Sequence, residues 1–177
     1  MLRRLYPFMI LLLVVTTACN NAENKAEETT KPAAPEAPSA ATATQMPAFA
    51  MLDASGQAVD LKSFAGKKVF VNLWATWCPP CRAEMPSIQK LHQTVDKEKT
   101  AFIMLSLDDD FEKAKQYVKK NNLNLPIYYP QGTELPELFN VRGIPTTFIF
   151  DEKGQLIKSM EGADDYDTDA YRQLLNN

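Results

Sequence analysis

Cysteine and histidine are scarce in this sequence. Its 177 residues include three cysteines and a single histidine, His92. So few sulfur and imidazole groups leave little material for a structural zinc site, which normally takes about four such ligands. Charge of one sign is also lacking, because 19 basic and 22 acidic residues give a net charge of −3. This mildly acidic balance argues against nucleic acid as a partner, and no cofactor is predicted.

The N-terminal apolar run, residues 5–15, is shorter than the roughly 20 residues that a membrane-spanning helix needs. It follows two arginines and precedes small residues, which predicts an export signal over residues 1–18. Cys19 stands directly after the small residues, as in the bacterial lipobox, where that cysteine becomes the acylated first residue. We therefore expect a lipoprotein anchored to a membrane through Cys19. An ordinary signal peptide and an uncleaved anchor are the alternatives.

Large apolar residues are absent from residues 20–45, which are rich in Ala, Thr, Glu and Pro. Such a segment buries too little surface to offset the entropy lost on ordering, so residues 19–45 are predicted to be a disordered tether. Its prolines favour extended backbone and would keep the folded part away from the anchor. The folded domain is then expected at residues 46–177.

Apolar runs and helical periodicity alternate along this domain. Continuous apolar runs at residues 68–75 and 101–107 are typical of strands covered on both faces. Between them, an amphipathic helix is indicated by apolar residues at spacings of three and four, namely Met85, Ile88, Leu91 and Val95. Further strands are predicted at 48–52, 57–61, 125–129, 146–150 and 155–160, and further helices at 111–121, 135–139 and 167–175. This order predicts an α/β sandwich with a central mixed sheet, helices on both faces and an N-terminal β-hairpin.

Cys78 and Cys81 stand at the start of the amphipathic helix, separated by Pro79 and Pro80. Their spacing puts both sulfurs on one helical face, so they can bond or separate with little backbone movement. The helix N-terminus favours negative charge, which lowers the pKa expected for Cys78 and makes it the nucleophile. Cys81, one turn deeper, is then the resolving thiol. Proline is tolerated in a first turn because its missing N–H would be unpaired there.

A structural disulfide and a metal site are the competing interpretations of this pair. Structural disulfides usually close longer loops than a single helical turn. Zinc would need further ligands, and His92 lies eleven residues further along the helix. The carboxylate groups at residues 108–110 and 164–169 are attributed to helix starts, so no metal site is predicted.

Two segments carry a family resemblance. Residues 71–86, Val-Asn-Leu-Trp-Ala-Thr-Trp-Cys-Pro-Pro-Cys-Arg-Ala-Glu-Met-Pro, resemble the active-site segment of the TlpA/ResA branch of the thioredoxin superfamily. Residues 143–148, Gly-Ile-Pro-Thr-Thr-Phe, resemble the loop that carries the cis-proline of that superfamily. The resemblance implies a thioredoxin-like sandwich in which the Ile144–Pro145 bond is cis and faces the cysteines. It also implies that Ile144 presents its backbone to an extended substrate. Trp77 directly precedes the nucleophile in the sequence, and we expect it to cover Cys78.

One departure from thioredoxin concerns proton transfer. The buried aspartate of thioredoxin corresponds to Asn72, and an amide cannot take a proton from the resolving thiol. Glu84 matches a glutamate that ResA-like proteins use near the active site. We expect Glu84 to assist proton transfer at Cys81, with its pKa raised by partial burial. The alternative is a first-turn glutamate that only favours the helix dipole.

The resemblance thus implies a thiol-disulfide oxidoreductase that reduces the disulfides of exported proteins outside the cytoplasm, in the periplasm or its equivalent. Its electrons would come from a membrane-embedded donor, and apocytochrome c is a typical substrate of such relatives. Two alternatives stay open. One is a thiol peroxidase, and the other is a non-catalytic lipoprotein that binds partners through a thioredoxin-like surface.

Overall fold

The computed structural model of the protein describes residues 44–132 and 134–177. The predicted export signal, Cys19 and all but the last two residues of the predicted tether lie outside the described residues. In the part that is described, no helix has the length and apolar character needed to cross a membrane.

Seven strands and three α-helices follow the predicted order. The strands are β1 (Ala50–Asp53), β2 (Ala58–Asp60), β3 (Lys68–Trp74), β4 (Thr100–Ser106), β5 (Ile127–Pro130), β6 (Thr146–Phe150) and β7 (Leu156–Glu161). The α-helices are α1 (Pro79–Thr94), α2 (Phe111–Lys120) and α3 (Asp169–Asn176). Two 3-10 helices lie at Leu61–Phe64 and Glu137–Phe139, so the helix predicted at residues 135–139 is a single 3-10 turn.

One mixed sheet contains all seven strands in the order β2-β1-β5-β4-β3-β6-β7. Strands β3, β4 and β5 are parallel neighbours, as expected of strands joined by helical crossovers. The remaining pairs are antiparallel, including β1 with β2 at the N-terminal end of the domain. Every residue of β3 is buried, which explains its continuous apolar run.

Alternating side chains of the central strands divide the core into two layers. Phe70 and Trp74 of β3 belong to the layer that also holds the buried faces of the three α-helices. Val71 and Leu73 point into the other layer, which Phe139 of the second 3-10 helix helps to cover. The crossovers β3-α1-β4 and β4-α2-β5 step across the sheet in one direction, so their right-handedness places α1 and α2 on one face. The helices of the opposite face are therefore the short 3-10 turns.

The chain enters the domain along the turn between β6 and β7. The backbone N–H of Leu156 donates to the carbonyl of Thr44 at 2.8 Å, and that of Met46 donates to the carbonyl of Gly154 at 2.7 Å. A side chain added at Gly154 would contact Gln45 and Met46, and its φ of +76° also favours glycine. These contacts attach the first described residues to the edge of the sheet that ends in β7.

Candidate active site

Cys78 and Cys81 form a disulfide across the first turn of α1, with their Cα atoms 5.3 Å apart. Cys78 is the capping residue of α1, and the backbone N–H of Cys81 donates to its Sγ at 3.2 Å. The first N–H groups of a helix lack partners within the helix, so this position favours negative charge on the Cys78 sulfur once the pair is reduced. Cys78 keeps 3% of its surface exposed and Cys81 keeps none.

The two prolines between the cysteines occupy the first positions of α1, as the sequence predicted. Neither Pro79 nor Pro80 removes a hydrogen bond there, because the N–H groups of a first turn have no acceptor within the helix. Their fixed φ angles limit the backbone freedom of the turn that joins the two sulfurs.

The loop before β6 faces the disulfide. The Ile144–Pro145 bond is cis, as the family resemblance implied. The carbonyl oxygen of Ile144 lies 3.6 Å from Cys78 Sγ. This loop is held in place by the Thr146 hydroxyl, which donates to the Gly143 carbonyl at 2.7 Å, and by the Gly162 N–H, which donates to the Pro145 carbonyl at 2.8 Å.

An apolar cleft of about 340 Å³ opens beside this loop. Trp77, which was expected to cover the nucleophile, is 64% exposed and lines the cleft. The other apolar residues of its wall are Leu107, Leu135, Phe139, Val141 and Ile144. Large exposed apolar surface next to a reactive group is typical of a binding site.

Asp108 holds the loop that leads into Cys78, a role that the sequence analysis missed. Its buried carboxylate accepts the Thr76 N–H at 3.1 Å, the Thr76 hydroxyl at 2.6 Å and the Ser106 hydroxyl at 2.8 Å. The attribution of residues 108–110 to a helix start is therefore wrong for Asp108, although the Asp110 side chain does cap α2. The order of the strands could have indicated this contact, because β3 and β4 are parallel neighbours and their carboxyl ends lie side by side at the same end of the sheet.

Glu84 lies on the buried face of α1, as does Cys81, and keeps only 3% of its surface exposed. Its Oε1 accepts a hydrogen bond from Asn72 Nδ2 at 2.8 Å, and its Oε2 accepts one from the Asp164 N–H at 3.3 Å. Burial raises the pKa of Glu84 to about 7, against the opposing effect of these two hydrogen bonds. The raised pKa predicted for Glu84 is thus present.

A second, polar cleft of about 270 Å³ reaches Glu84 between α1 and the segment before α3. Its polar wall includes Ser87, Lys90, Asp164, Asp165 and Asp167. The polar cleft and the apolar cleft share no lining residue. Glu84 therefore borders a cleft that is distinct from the apolar cleft beside Trp77.

The single histidine is a packing residue of α1. The His92 ring is half-buried and meets the Phe102 ring edge to face, with centroids 4.9 Å apart. Burial, with a smaller contribution from Lys97, lowers the pKa of His92 to about 4, so it is neutral at pH 7. Across residues 44–132 and 134–177, no group of three or more His, Cys, Asp or Glu side chains is placed to hold a metal ion.

The model of the Redoxin protein family matches residues 41–175 of this chain. The chain belongs to the Redoxin family. The thiol-disulfide oxidoreductase ResA of Bacillus thuringiensis subsp. konkukian is 34% identical to this chain over 118 residues, which cover 67% of this chain and 68% of that protein. ResA of Halalkalibacterium halodurans is 30% identical over 114 residues, covering 64% and 65% respectively.

Solved structures agree with this assignment. The crystal structure of StoA from Bacillus subtilis matches with a TM-score of 0.59 at 25% identity, covering 68% of this chain and 91% of that one. A thioredoxin family thiol:disulfide interchange protein from Chlorobium tepidum matches with a TM-score of 0.63 at 26% identity, covering 77% and 99%. This Redoxin protein is a thiol-disulfide oxidoreductase similar to ResA and StoA, and the TlpA/ResA-like resemblance and the thioredoxin-like fold are confirmed.

The buried carboxyl predicts a specific dependence of stability on pH. The pKa of Glu84 is about 7 in the folded protein against an ordinary value of 4.5, so the folded state binds the extra proton between these values. The contribution of Glu84 to the free energy of unfolding should therefore fall by about 3 kcal/mol as the pH rises from about 4.5 to about 7. Above that pH the contribution should stay constant. Urea denaturation of the oxidised wild type and of Glu84→Gln, compared at each pH, measures this difference.

Glu98→Gln is the matched control, because Glu98 is exposed and lies outside both clefts. Its stability difference from wild type should stay constant over the same range. A Glu84→Gln difference that is equally constant would show that the Glu84 carboxyl does not titrate near neutrality.

Proposed function

We propose that this protein exchanges disulfides with protein substrates, with Cys78 as the attacking thiol and Cys81 as the resolving thiol. The observation that carries the proposal is the position of Cys78, which caps α1 and lies 3.6 Å from the carbonyl oxygen of Ile144. Cys78 is therefore the sulfur nearest to both the helix N-terminus and the loop that would receive a substrate. Cys81 is fully buried, so it meets only a disulfide partner that Cys78 has already captured.

The exchange proceeds in two steps. The Cys78 thiolate attacks one sulfur of the substrate disulfide, forming a mixed disulfide and releasing the other substrate sulfur as a thiolate. Glu84 then takes the proton of the Cys81 thiol, and the Cys81 thiolate attacks Cys78. The Cys78–Cys81 disulfide forms, the second substrate thiolate leaves, and the substrate thiolates take up protons. The substrate is reduced by two electrons, and the enzyme dithiol is oxidised by two.

The substrate is proposed to bind as an extended segment along Ile144, with an apolar side chain in the apolar cleft. Ile144 borders both the disulfide and the cleft, so one segment can reach the two together. Backbone pairing with the loop would give affinity without sequence preference, and the cleft would select an apolar residue next to the substrate cysteine. Trp77, which is largely exposed in the free protein, would become buried in this complex.

We propose that the net direction is reduction of exported proteins outside the cytoplasm, as the family resemblance suggests. The disulfide formed in each cycle must then be reduced by a dithiol donor, for which a membrane-embedded electron carrier is proposed. A lipid anchor at Cys19 and the tether after it would keep the domain within reach of such a donor. Apocytochrome c before haem attachment is the substrate proposed for the first trial.

Trapping tests the assignment of the two cysteines. Cys81→Ser should accumulate mixed disulfides with substrate proteins in the native cell envelope, because the resolving attack is lost while the first attack remains. Non-reducing gels followed by mass spectrometry identify the captured proteins and the cysteine that joins them.

Cys78→Ser is the matched control and should trap at least tenfold less, because the remaining Cys81 is buried. Reversal of this order, with Cys78→Ser trapping more than Cys81→Ser, would exchange the two roles. Recovery of no covalent partner with either variant would contradict disulfide exchange with proteins.

Trp77→Ala tests the apolar cleft. Loss of the exposed indole should lower kcat/KM about tenfold for a disulfide-bonded peptide with an apolar residue beside its cysteine. The same variant should reduce a small reagent disulfide at nearly the wild-type rate, since such a reagent does not reach the cleft. Steady-state assays with both substrates make the comparison.

Ile157→Ala provides the control, because Ile157 is the other large exposed apolar residue of the described chain and lies outside the cleft. It should leave both activities unchanged. If Trp77→Ala loses activity equally with the peptide and with the small reagent, Trp77 affects the reactivity of the disulfide rather than substrate binding.

A further inference from the structure

Four buried polar side chains are joined into one hydrogen-bonded chain on the α1 side of the sheet. Glu84 of α1 accepts from Asn72 of β3 at 2.8 Å, and the same Asn72 Nδ2 donates to Thr147 Oγ1 of β6 at 2.9 Å. Thr147 Oγ1 is 2.7 Å from the hydroxyl of Tyr166, which lies in the segment before α3. Asn72 and Thr147 are directly paired across the antiparallel strands, so the sheet register fixes this contact.

Only the nitrogen atom of the Asn72 side-chain amide makes hydrogen bonds. Its Nδ2 gives both hydrogens to neighbours, whereas its Oδ1 is buried without a hydrogen-bond partner in the described structure. An unpaired buried acceptor costs about 1–3 kcal/mol, so this orientation needs a cause. Turning the amide by 180° would place Oδ1 against the Glu84 carboxylate, where two acceptors would repel each other. The orientation is thus held by the two groups that accept from Nδ2.

Thr147 can hold the amide only while its oxygen acts as an acceptor. A threonine hydroxyl has one hydrogen and two lone pairs. When that hydrogen is donated to Tyr166, the oxygen of Thr147 is left to accept from Asn72. Burial raises the pKa of Tyr166 well above its ordinary value, so the Tyr166 hydroxyl stays neutral and available at the end of the chain.

We infer that Thr147 and Tyr166 are positioning residues for the exchange reaction, because they hold the Asn72 amide with its N–H directed at the Glu84 carboxylate. Neither residue touches the reacting sulfurs in the proposed steps. Both act through Asn72, by favouring the ionised carboxylate that accepts the Cys81 proton. The inference rests on the proposed function for the role of Glu84, but the orientation of the amide is testable by itself.

Other charged and titratable groups also surround Glu84. From α1 and the segment before α3, the polar cleft adds Lys90, Asp164, Asp165 and Asp167, and α3 adds Tyr171, whose hydroxyl donates to Asp164 at 2.6 Å. Lys90 pairs with Asp167 at 3.1 Å across the cleft. The variants chosen for the test leave all of these groups in place, so a change at Glu84 reports on the buried chain.

The test is a titration of the Glu84 carboxyl by carbon-13 NMR in the oxidised protein, where Cys78 and Cys81 do not titrate. Thr147→Val removes the acceptor that holds the amide, and should raise the pKa of Glu84 by about 1. Tyr166→Phe should raise it less. Thr147→Ser, which restores the hydroxyl, should return the pKa to the wild-type value.

Thr100→Val is the matched control. Thr100 is also a buried strand threonine, and its hydroxyl donates to the Leu175 carbonyl at 2.7 Å, away from Glu84. It should lower the Tm without moving the Glu84 titration. A Thr147→Val protein that loses stability like Thr100→Val and titrates like wild type would overturn the inference. Tyr166→Phe keeps the ring packing and supplies the same test if Thr147→Val does not fold.

The pH profile of disulfide reduction separates this inference from the proposed function. A Glu84 pKa that rises in Thr147→Val supports the positioning chain, and a matching displacement of the rate profile to higher pH supports the proton role as well. If the pKa of Glu84 rises in Thr147→Val but Glu84→Gln exchanges disulfides at the wild-type rate, Thr147 does position the Asn72 amide, and Glu84 has no part in the exchange. If the pKa of Glu84 stays unchanged in Thr147→Val but Glu84→Gln exchanges disulfides slowly, the positioning role of Thr147 and Tyr166 is overturned, and the proton role of Glu84 is retained.

Discussion

The proposed mechanism depends on a carboxyl group that is buried against an amide. Glu84 keeps 3% of its surface exposed and accepts a hydrogen bond from Asn72 at 2.8 Å. Burial alone would favour the neutral acid, whereas the amide N–H favours the anion, and the balance brings the pKa of Glu84 to about 7. A group balanced in this way both takes and returns a proton near neutral pH, which is what a resolving thiol requires from its neighbour.

Two separate clefts border the groups that take part in the proposed reaction. The apolar cleft, with Trp77 and Ile144, borders the side of Cys78 that a substrate would approach. The polar cleft reaches Glu84 through a different set of residues. A bound substrate can therefore cover Trp77 while Glu84 still exchanges protons with solvent. Asp108 supports this arrangement by fixing the loop at Thr76 that precedes Cys78.

The sequence predicted the parts of the site that depend on local pattern. The position of Cys78 at a helix start follows from the buried strand before it and the apolar spacing after it. The roles of Thr147 and Asp108 were not predicted, because their contacts depend on the alignment of β3 with β6 and with β4. No local sequence pattern encodes that alignment. The second layer of helices was predicted without its 3-10 character, since the segment around Phe139 is too short for periodicity to distinguish the two.

If Glu84 is the base for the resolving thiol, the rate of the resolving step depends on pH through the Glu84 carboxyl. Reduced protein is mixed rapidly with a disulfide peptide, and release of the second peptide thiol is followed in a single turnover. The wild-type rate should rise through about pH 7. Glu84→Gln should lose that rise and be about 10 to 100 times slower at pH 8, whereas Glu98→Gln should match wild type. A Glu84→Gln profile that coincides with wild type would show that Glu84 is not the base for the Cys81 thiol.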